Sequence, residues 1–265
     1  MEIAVGSRPG VPRGSDEAYV AEIVAPGIVL LAVAHGFGRI RERPAPEVAV
    51  LSIRDSLKRR VRGERRDPRS ALSSAFSAAN ARVYAHSGST EDFVASGTSI
   101  TAALIVGDHA FVGHVGATRA YLGRDGTLST LTTDDAMGDG PLRLLTRTLG
   151  TQPLLEPSLE HLRLMHGDAL VLSSGALHEL LSEDEIADAL RASASSEDVT
   201  ARLLAIAGIR GDGAGTVIVG RAFHEASGAG PCRKPPVREV TIALAAMVAA
   251  TIIALVMLHA LFAAA

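Results

Sequence analysis

The sequence is poor in cysteine and aromatic residues and carries no strong net charge. Its single cysteine, Cys232, excludes an intrachain disulfide framework and a zinc site built from cysteines. Tryptophan is absent and aromatic residues make up 3% of the chain, which argues against base-stacking platforms. The net charge of −3 provides no global field that would attract a polyanion. Nucleic acid is therefore not an expected partner.

Charged side chains are also missing from the C-terminal segment. Between Val240 and Ala265 the sequence contains no Asp, Glu, Lys or Arg. Because a membrane-spanning helix needs about 20 apolar residues, we predict a transmembrane helix at 240–262. Basic residues precede this segment, which predicts that the globular part lies on the cytoplasmic side. The expected localisation is a membrane, crossed once at the C-terminus.

Composition divides the rest of the chain into a domain and a linker. Residues 1–222 contain the periodic apolar segments and are predicted to form one domain. Residues 223–239 are rich in Gly, Pro and Ser, which predicts a linker before the membrane segment. Within the domain, predicted strands and helices occur in blocks instead of alternating strictly. This order favours antiparallel sheets covered by helices.

One stretch near the N-terminus combines a buried strand with a glycine-rich turn. The apolar run Ile28–Ala34 predicts a strand that is covered on both faces. The following residues, HGFGR, place His35 at the tip of a turn in which Gly36 and Gly38 allow close approach of the backbone. Such a turn suits a functional site, although an ordinary connection between a strand and a helix is the alternative.

Short motifs follow one another along the whole domain. In order they are RGSDEA (13–18), VAHGFGR (33–39), GTSITAALI (97–105), HVGATRAYL (114–122), LLTRTLG (144–150), GDALVLSSGAL (167–177) and GDGAGTVIV (211–219). Their order and spacing resemble those of the metal-dependent protein phosphatases, the PPM or type 2C family of Ser/Thr phosphatases. The resemblance implies an α+β fold, a four-layer α-β-β-α sandwich of two antiparallel sheets flanked by helices. It also implies a two-metal site at one end of the sandwich.

The chain departs from the family pattern mainly at the acidic metal-binding positions. Glu17 retains a carboxylate, while Ala117 stands at one aspartate position of the family. A two-metal hydrolase needs several carboxylates to hold two divalent cations. We therefore expect a catalytically inactive phosphatase-like domain with no bound cofactor, acting as a binding or regulatory module. The degenerate metal-site positions are Glu17, His35, Gly36, Gly175 and Gly213.

An active phosphatase with a rearranged site is the alternative. Asp16, Glu17 and His35 are the candidate catalytic residues in that case, with Mn²⁺ or Mg²⁺ as cofactor. A slip of one residue would also let Asp212 substitute for Gly213. Histidine is a common ligand of transition metals, so a site with a single ion, held by His35 with Asp16, Glu17 or Asp212, is a further alternative.

Two arginines are candidates for phosphate binding without hydrolysis. Arg13 belongs to the first motif, and Arg39 replaces a glycine of the turn. Arginine makes bidentate contacts with phosphate, so a phosphoprotein or another signalling protein is the expected partner, with the membrane as a second one through 240–262. Alternatively, Arg39 fills the vacated metal cavity and pairs with Glu17.

Other polar residues are expected at the surface. The family usually inserts a helical flap where this chain has only a short acidic segment, predicted to be a solvated loop, with Asp134, Asp135 and Asp139. Three histidines in the following region are also predicted to be surface residues. These are His161, His166 and His178.

Overall fold

The structure is a computed structural model that describes residues 1–8, 17–37, 44–61, 67–87, 96–138, 144–210 and 215–222. The predicted linker at 223–239 and the predicted transmembrane helix at 240–262 lie outside these ranges. Within them, no helix is both long enough and apolar enough to cross a membrane. The elements are β1 (Glu2–Arg8), β2 (Glu17–Ala25), β3 (Ile28–Phe37), α1 (Ala45–Val61), α2 (Pro68–Ser87), β4 (Gly97–Val106), β5 (His109–Val115), β6 (Arg119–Arg124), β7 (Thr127–Thr130), β8 (Ala136–Met137), β9 (Leu144–Leu145), β10 (Ser158–Arg163), β11 (Ala169–Ser173), α3 (Gly175–His178), α4 (Glu183–Ala192), α5 (Ser196–Arg210) and β12 (Gly215–Arg221).

Two five-stranded sheets form the centre of the domain. The first has the strand order β1-β12-β11-β6-β7 and the second has the order β10-β5-β4-β3-β2. Every pair of neighbouring strands in these sheets is antiparallel. The expected pair of antiparallel sheets is thus confirmed.

Strand β3 shows why the two sheets stack. Leu30 and Ala32 point towards α1 and α2, whereas Leu31 and Val33 point towards the first sheet. All four are completely buried. Because side chains alternate along a strand, a continuous apolar run buries both of its faces, as predicted for Ile28–Ala34.

Helices cover the outer face of each sheet. Ile53 of α1 and Phe76 of α2 pack against the second sheet in one apolar cluster. Ile186 of α4 and Leu203 of α5 pack against the first sheet in another. A third cluster lies between the two sheets. The layers therefore run helix, sheet, sheet, helix, as the resemblance implied.

The acidic segment after β7 differs from its prediction. Asp134 and Asp135 were expected in a solvated loop, but their side chains are only 6% and 13% exposed. Arg119 donates two hydrogen bonds of 2.9 Å to Asp134, and Arg147 donates one of 3.0 Å to Asp135. The prediction was wrong because partners distant in sequence neutralise both carboxylates. Strands β8 and β9 pair just beyond them, and Asp139 lies outside the described residues.

Candidate functional site

Strand pairing at one end of the second sheet brings two predicted site residues together. Glu17 begins β2 and is the direct cross-strand partner of His35 near the end of β3. Antiparallel partners place their side chains on the same face of the sheet. His35 Nδ1 lies 3.6 Å from Glu17 Oε1, and the two side chains are 26% and 8% exposed. The structure thus unites residues that are 18 positions apart in sequence.

Two further metal-site positions of the family pattern, Ala117 and Gly175, lie beside His35. Gly175 begins α3 directly after β11, and Ala117 lies in the turn between β5 and β6. A Cβ atom built on Gly175 would lie 3.6 Å from His35 Nδ1 and 3.6 Å from the Ala117 carbonyl oxygen. His35, Ala117 and Gly175 therefore meet at one point between the two sheets.

The His35 ring has a defined tautomer in this arrangement. The backbone N–H of Ala176 donates a hydrogen bond of 3.4 Å to His35 Nδ1. An Nδ1 atom that accepts a hydrogen bond carries no proton, so the neutral ring has its proton on Nε2. His35 consequently offers no hydrogen to Glu17 Oε1, which is buried and has no hydrogen-bond partner.

The other oxygen of Glu17 is held from the first sheet. Thr216 of β12, itself fully buried, donates its hydroxyl hydrogen to Glu17 Oε2 at 2.6 Å. Ser7 of β1 lies 3.0 Å from the same hydroxyl and must therefore act as the donor to it. Sequence analysis missed Thr216. The available signal was a polar residue inside the otherwise apolar strand motif GAGTVIV.

Of the remaining predicted site residues, the structure describes only Gly36. Gly36 is buried in β3 opposite Thr98, whose hydroxyl donates to the His35 carbonyl oxygen at 3.0 Å. Gly36 therefore forms part of the strand backbone beside His35 and contributes no side chain to the site. The candidates that lie outside the described residues are Arg13, Asp16, Arg39, Asp212 and Gly213.

His178 is part of the wall of this site, so its prediction as a surface residue was wrong. It is 7% exposed, and its Nε2 atom donates to the Ala117 carbonyl oxygen at 2.6 Å. Burial lowers the pKa of His178 below its ordinary value of 6.5, and the positive charge of Arg119 contributes in the same direction. Helix α3 has only four residues, too few to show the periodic pattern from which a buried face is recognised in a sequence. His161 and His166 are exposed as predicted.

We expect this buried histidine to make the domain less stable in mild acid. The unfolded chain protonates His178 near pH 6.5, while the folded chain resists protonation, so stability is lost as the pH falls below that value. His178→Gln keeps an N–H donor but does not titrate. Urea unfolding between about pH 5 and about pH 7.5 should therefore show a weaker pH dependence in the variant. An unchanged pH dependence would contradict the assignment.

Comparisons with known proteins agree with this architecture. The sequence profile described as Protein phosphatase 2C matches residues 29–139. The Ser/Thr protein phosphatase PstP of Mycobacterium tuberculosis is 30% identical over 234 residues, which cover 83% of this chain and 44% of PstP. A Streptococcus pyogenes protein named for the protein phosphatase 2C type is 27% identical over 80% of this chain and 93% of its own length. A solved structure of the PstP catalytic domain with two manganese ions has a TM-score of 0.70 at 27% identity, covering 84% of this chain and 98% of that one. The chain belongs to the protein phosphatase 2C (PPM) family.

Membership of the family raises the question of whether the residues present fit two manganese ions. Manganese favours carboxylate, carbonyl and water oxygens. At the described positions that correspond to metal ligands of the family, the chain supplies one carboxylate, Glu17, and one imidazole, His35, while Ala117 and Gly175 supply no side-chain donor. Across the described ranges, no group of three or more His, Cys, Asp or Glu side chains could hold a metal ion. This donor set does not fit a two-manganese site.

Proposed function

We propose that the chain is a PPM-type domain that does not hydrolyse phosphate esters and acts as a binding or regulatory module in phosphorylation signalling. The observation that carries this proposal is the meeting of His35, Ala117 and Gly175 at one point. All three stand where motifs of the family have aspartates. Their replacement removes negative charge from the place where it would offset two divalent cations.

The contacts around Glu17 support the same proposal. Thr216 and Ser7 tie its carboxylate into a hydrogen-bond chain that joins the two sheets. The carboxylate thereby contributes to holding the sheets together at the site end. A residue that connects the two sheets has a structural reason to remain after metal binding is lost, because breaking a buried hydrogen bond leaves a costly unpaired group.

The proposed module is attached to a membrane. Its support is the run of 26 residues, 240–265, without Asp, Glu, Lys or Arg. The globular domain then faces the cytoplasm, where a phosphoprotein or another signalling protein is the proposed partner. Arg13 and Arg39 are the candidate contacts to a phosphate group on that partner.

An active phosphatase with a rearranged site is the second candidate function. The observation that favours it is Glu17 Oε1, which is buried, lacks a hydrogen-bond partner and lies 3.6 Å from His35 Nδ1. An unpaired buried carboxylate oxygen costs about 1–3 kcal/mol, and a cation would remove that cost. Asp16 and Asp212 would have to complete the ligand set.

A metal-dependent hydrolysis assay distinguishes the two candidates. We expect the full chain to release no p-nitrophenol from p-nitrophenyl phosphate above the metal-free rate when Mn²⁺ or Mg²⁺ is added. Glu17→Ala and His35→Ala should leave this background unchanged, because no catalytic metal is held there.

The matched control is Glu160→Ala, which removes an exposed carboxylate from β10, at the opposite edge of the sheet from β2. Metal-dependent turnover that survives in Glu160→Ala but disappears in Glu17→Ala and His35→Ala would overturn the inactive assignment. It would support the rearranged active site instead.

A further inference from the structure

Two histidines meet on the surface of the second sheet, far from the candidate phosphatase site. His109 starts β5 and His161 lies in the edge strand β10. Their register places Phe111 opposite His161 and Arg163 opposite His109, so the histidines are diagonal neighbours on the same face. The Nδ1 atom of His109 lies 3.0 Å from the Nε2 atom of His161.

The two rings meet edge to edge. Their centroids are 5.1 Å apart and their planes differ by 26°, while the facing nitrogens are only 3.0 Å apart. The line between the nitrogens therefore runs close to both ring planes, where the nitrogen lone pairs lie. In the absence of a cation, one of these nitrogens must carry a hydrogen and donate it to the other.

Neighbouring side chains contact both rings and favour their present orientation. The ring of Phe111 stacks on His161 at a centroid distance of 4.5 Å with an interplanar angle of 10°. On the far side of His109, Asp108 Oδ1 lies 3.6 Å from Nε2. Arg163 donates a hydrogen bond of 2.7 Å to Asp108 and thereby lowers the pKa of its carboxyl.

The carboxylate of Asp108 determines which nitrogen of His109 is free. An ionised carboxylate beside Nε2 favours the tautomer with its proton on that atom, which leaves Nδ1 as a base facing His161. Histidines that bind metals commonly direct their other N–H to a carboxylate in this way. Asp108, His109 and His161 are therefore arranged as in such metal sites. Asp108 orients the ring of His109, and His161 faces the nitrogen of His109 that is free to bind.

We propose that His109 Nδ1 and His161 Nε2 together bind one Zn²⁺ ion. Zinc lies about 2.0–2.1 Å from imidazole nitrogen, so two such ligands in a tetrahedral site are about 3.3 Å apart. The observed separation is 3.0 Å, so binding requires the two exposed rings to move slightly apart and to turn their facing nitrogens towards the ion. His161 moves its ring proton from Nε2 to Nδ1 on binding, so no net proton is lost. Water completes the coordination, because the described side chains offer no third ligand.

This site differs in chemistry from the one that the family resemblance points to. Imidazole nitrogen suits zinc, copper and nickel, whereas magnesium and manganese favour oxygen ligands. The site also lies on β10 and β5 at one edge of the sheet, with β4 and β3 between it and β2. Zinc binding here is therefore independent of whether the domain hydrolyses phosphate esters.

Titration calorimetry of the full chain, prepared without a histidine tag, tests the proposal. We expect one Zn²⁺ per chain. His109→Ala and His161→Ala should each weaken binding by at least about tenfold, and Asp108→Asn should weaken it by about tenfold because His109 loses its orienting carboxylate. Cu²⁺ as a paramagnetic probe should show coupling to two imidazole nitrogens, and to fewer in either histidine variant.

Two control variants separate this site from others. His86→Ala should bind zinc normally, because His86 is in the last turn of α2, whereas Arg69 in the first turn of that helix donates a hydrogen bond to Leu159 of β10. His35→Ala should also bind normally, and loss of zinc binding in that variant would overturn the proposal in favour of the Glu17 site. Absence of zinc binding, or binding that His109→Ala and His161→Ala leave intact, would overturn it as well.

Discussion

Gly116→Ala should lower the free energy of unfolding by about 2–5 kcal/mol, combining backbone strain with overpacking. Gly116 has φ of +99°, and a Cβ atom at this position would lie 2.5 Å from the Cβ and 2.8 Å from the Cα of Ser99. Backbone atoms cannot move away as a flexible side chain would. Urea unfolding should show the loss, and the melting temperature should fall by about 2–4 °C for each kcal/mol in a domain of this size.

The structural effect of Gly116→Ala should extend to the candidate site, because Gly116 lies in the turn that carries Ala117. Its N–H donates to Asp135 at 2.9 Å, and its carbonyl oxygen accepts from the Asp135 N–H at 2.7 Å. The added Cβ would clash with Ser99, whose Oγ accepts a hydrogen bond of 3.0 Å from the backbone N–H of Ala117. Displacing Ser99 therefore displaces the turn that carries Ala117.

Gly107→Ala is the matched control for this substitution. Gly107 also has a positive φ, +62°, but a Cβ atom there would meet nothing within 4 Å. It should cost only the backbone strain, about 1–2 kcal/mol. If Gly107→Ala destabilised the domain as much as Gly116→Ala, the packing against Ser99 would not be the cause.

The layered fold could be predicted because local patterns carried most of the information. The apolar run Ile28–Ala34 indicated burial on both faces, and β3 has alternate residues in two separate apolar clusters. Motif order then assigned Glu17, His35 and Gly175 to one site although they lie on different elements. The structure brings these positions together at the ends of β2, β3 and β11.

The features that the sequence could not predict all depend on contacts between distant residues. Nothing near Thr216 in the sequence indicates that its hydroxyl binds Glu17, a residue 199 positions earlier. Asp134 looks solvated until Arg119 is placed against it. Likewise, the buried ring of His178 donates its hydrogen bond to Ala117, a residue 61 positions earlier. Pattern reasoning assigns faces and elements but does not pair polar groups across a fold.

Replacing two residues should give the domain a manganese site that the residues described by the structure do not form. His35→Asp combined with Gly175→Asp would place two new carboxylates beside Glu17. The Gly175 position has room, since an added Cβ would meet its nearest neighbours at 3.6 Å. Oxygen ligands in such a cluster are those that Mn²⁺ prefers. We therefore expect Mn²⁺ to bind the double variant and to stabilise it, and we expect no comparable stabilisation of the parent chain.

Thermal unfolding measures this gain directly. A ligand that binds only the folded state at a hundredfold excess over its Kd stabilises that state by about 2.7 kcal/mol. For a domain of this size the melting temperature should then rise by about 5–10 °C on adding Mn²⁺ and return when a chelator is added. The matched control, His35→Asn with Gly175→Asn, has nearly the same shape but no added charge and should not respond.

The comparison of these two variants tests whether missing negative charge is what keeps manganese from the candidate site. If only the aspartate pair responds, the backbone of the site is still arranged for cations and missing charge alone prevents binding. If the aspartate pair folds but Mn²⁺ leaves its melting temperature unchanged, the geometry of the site does not suit cations either, and substitutions at these two positions alone do not create a manganese site. Because His35 and Gly175 approach each other across the two sheets, the first outcome is the expected one.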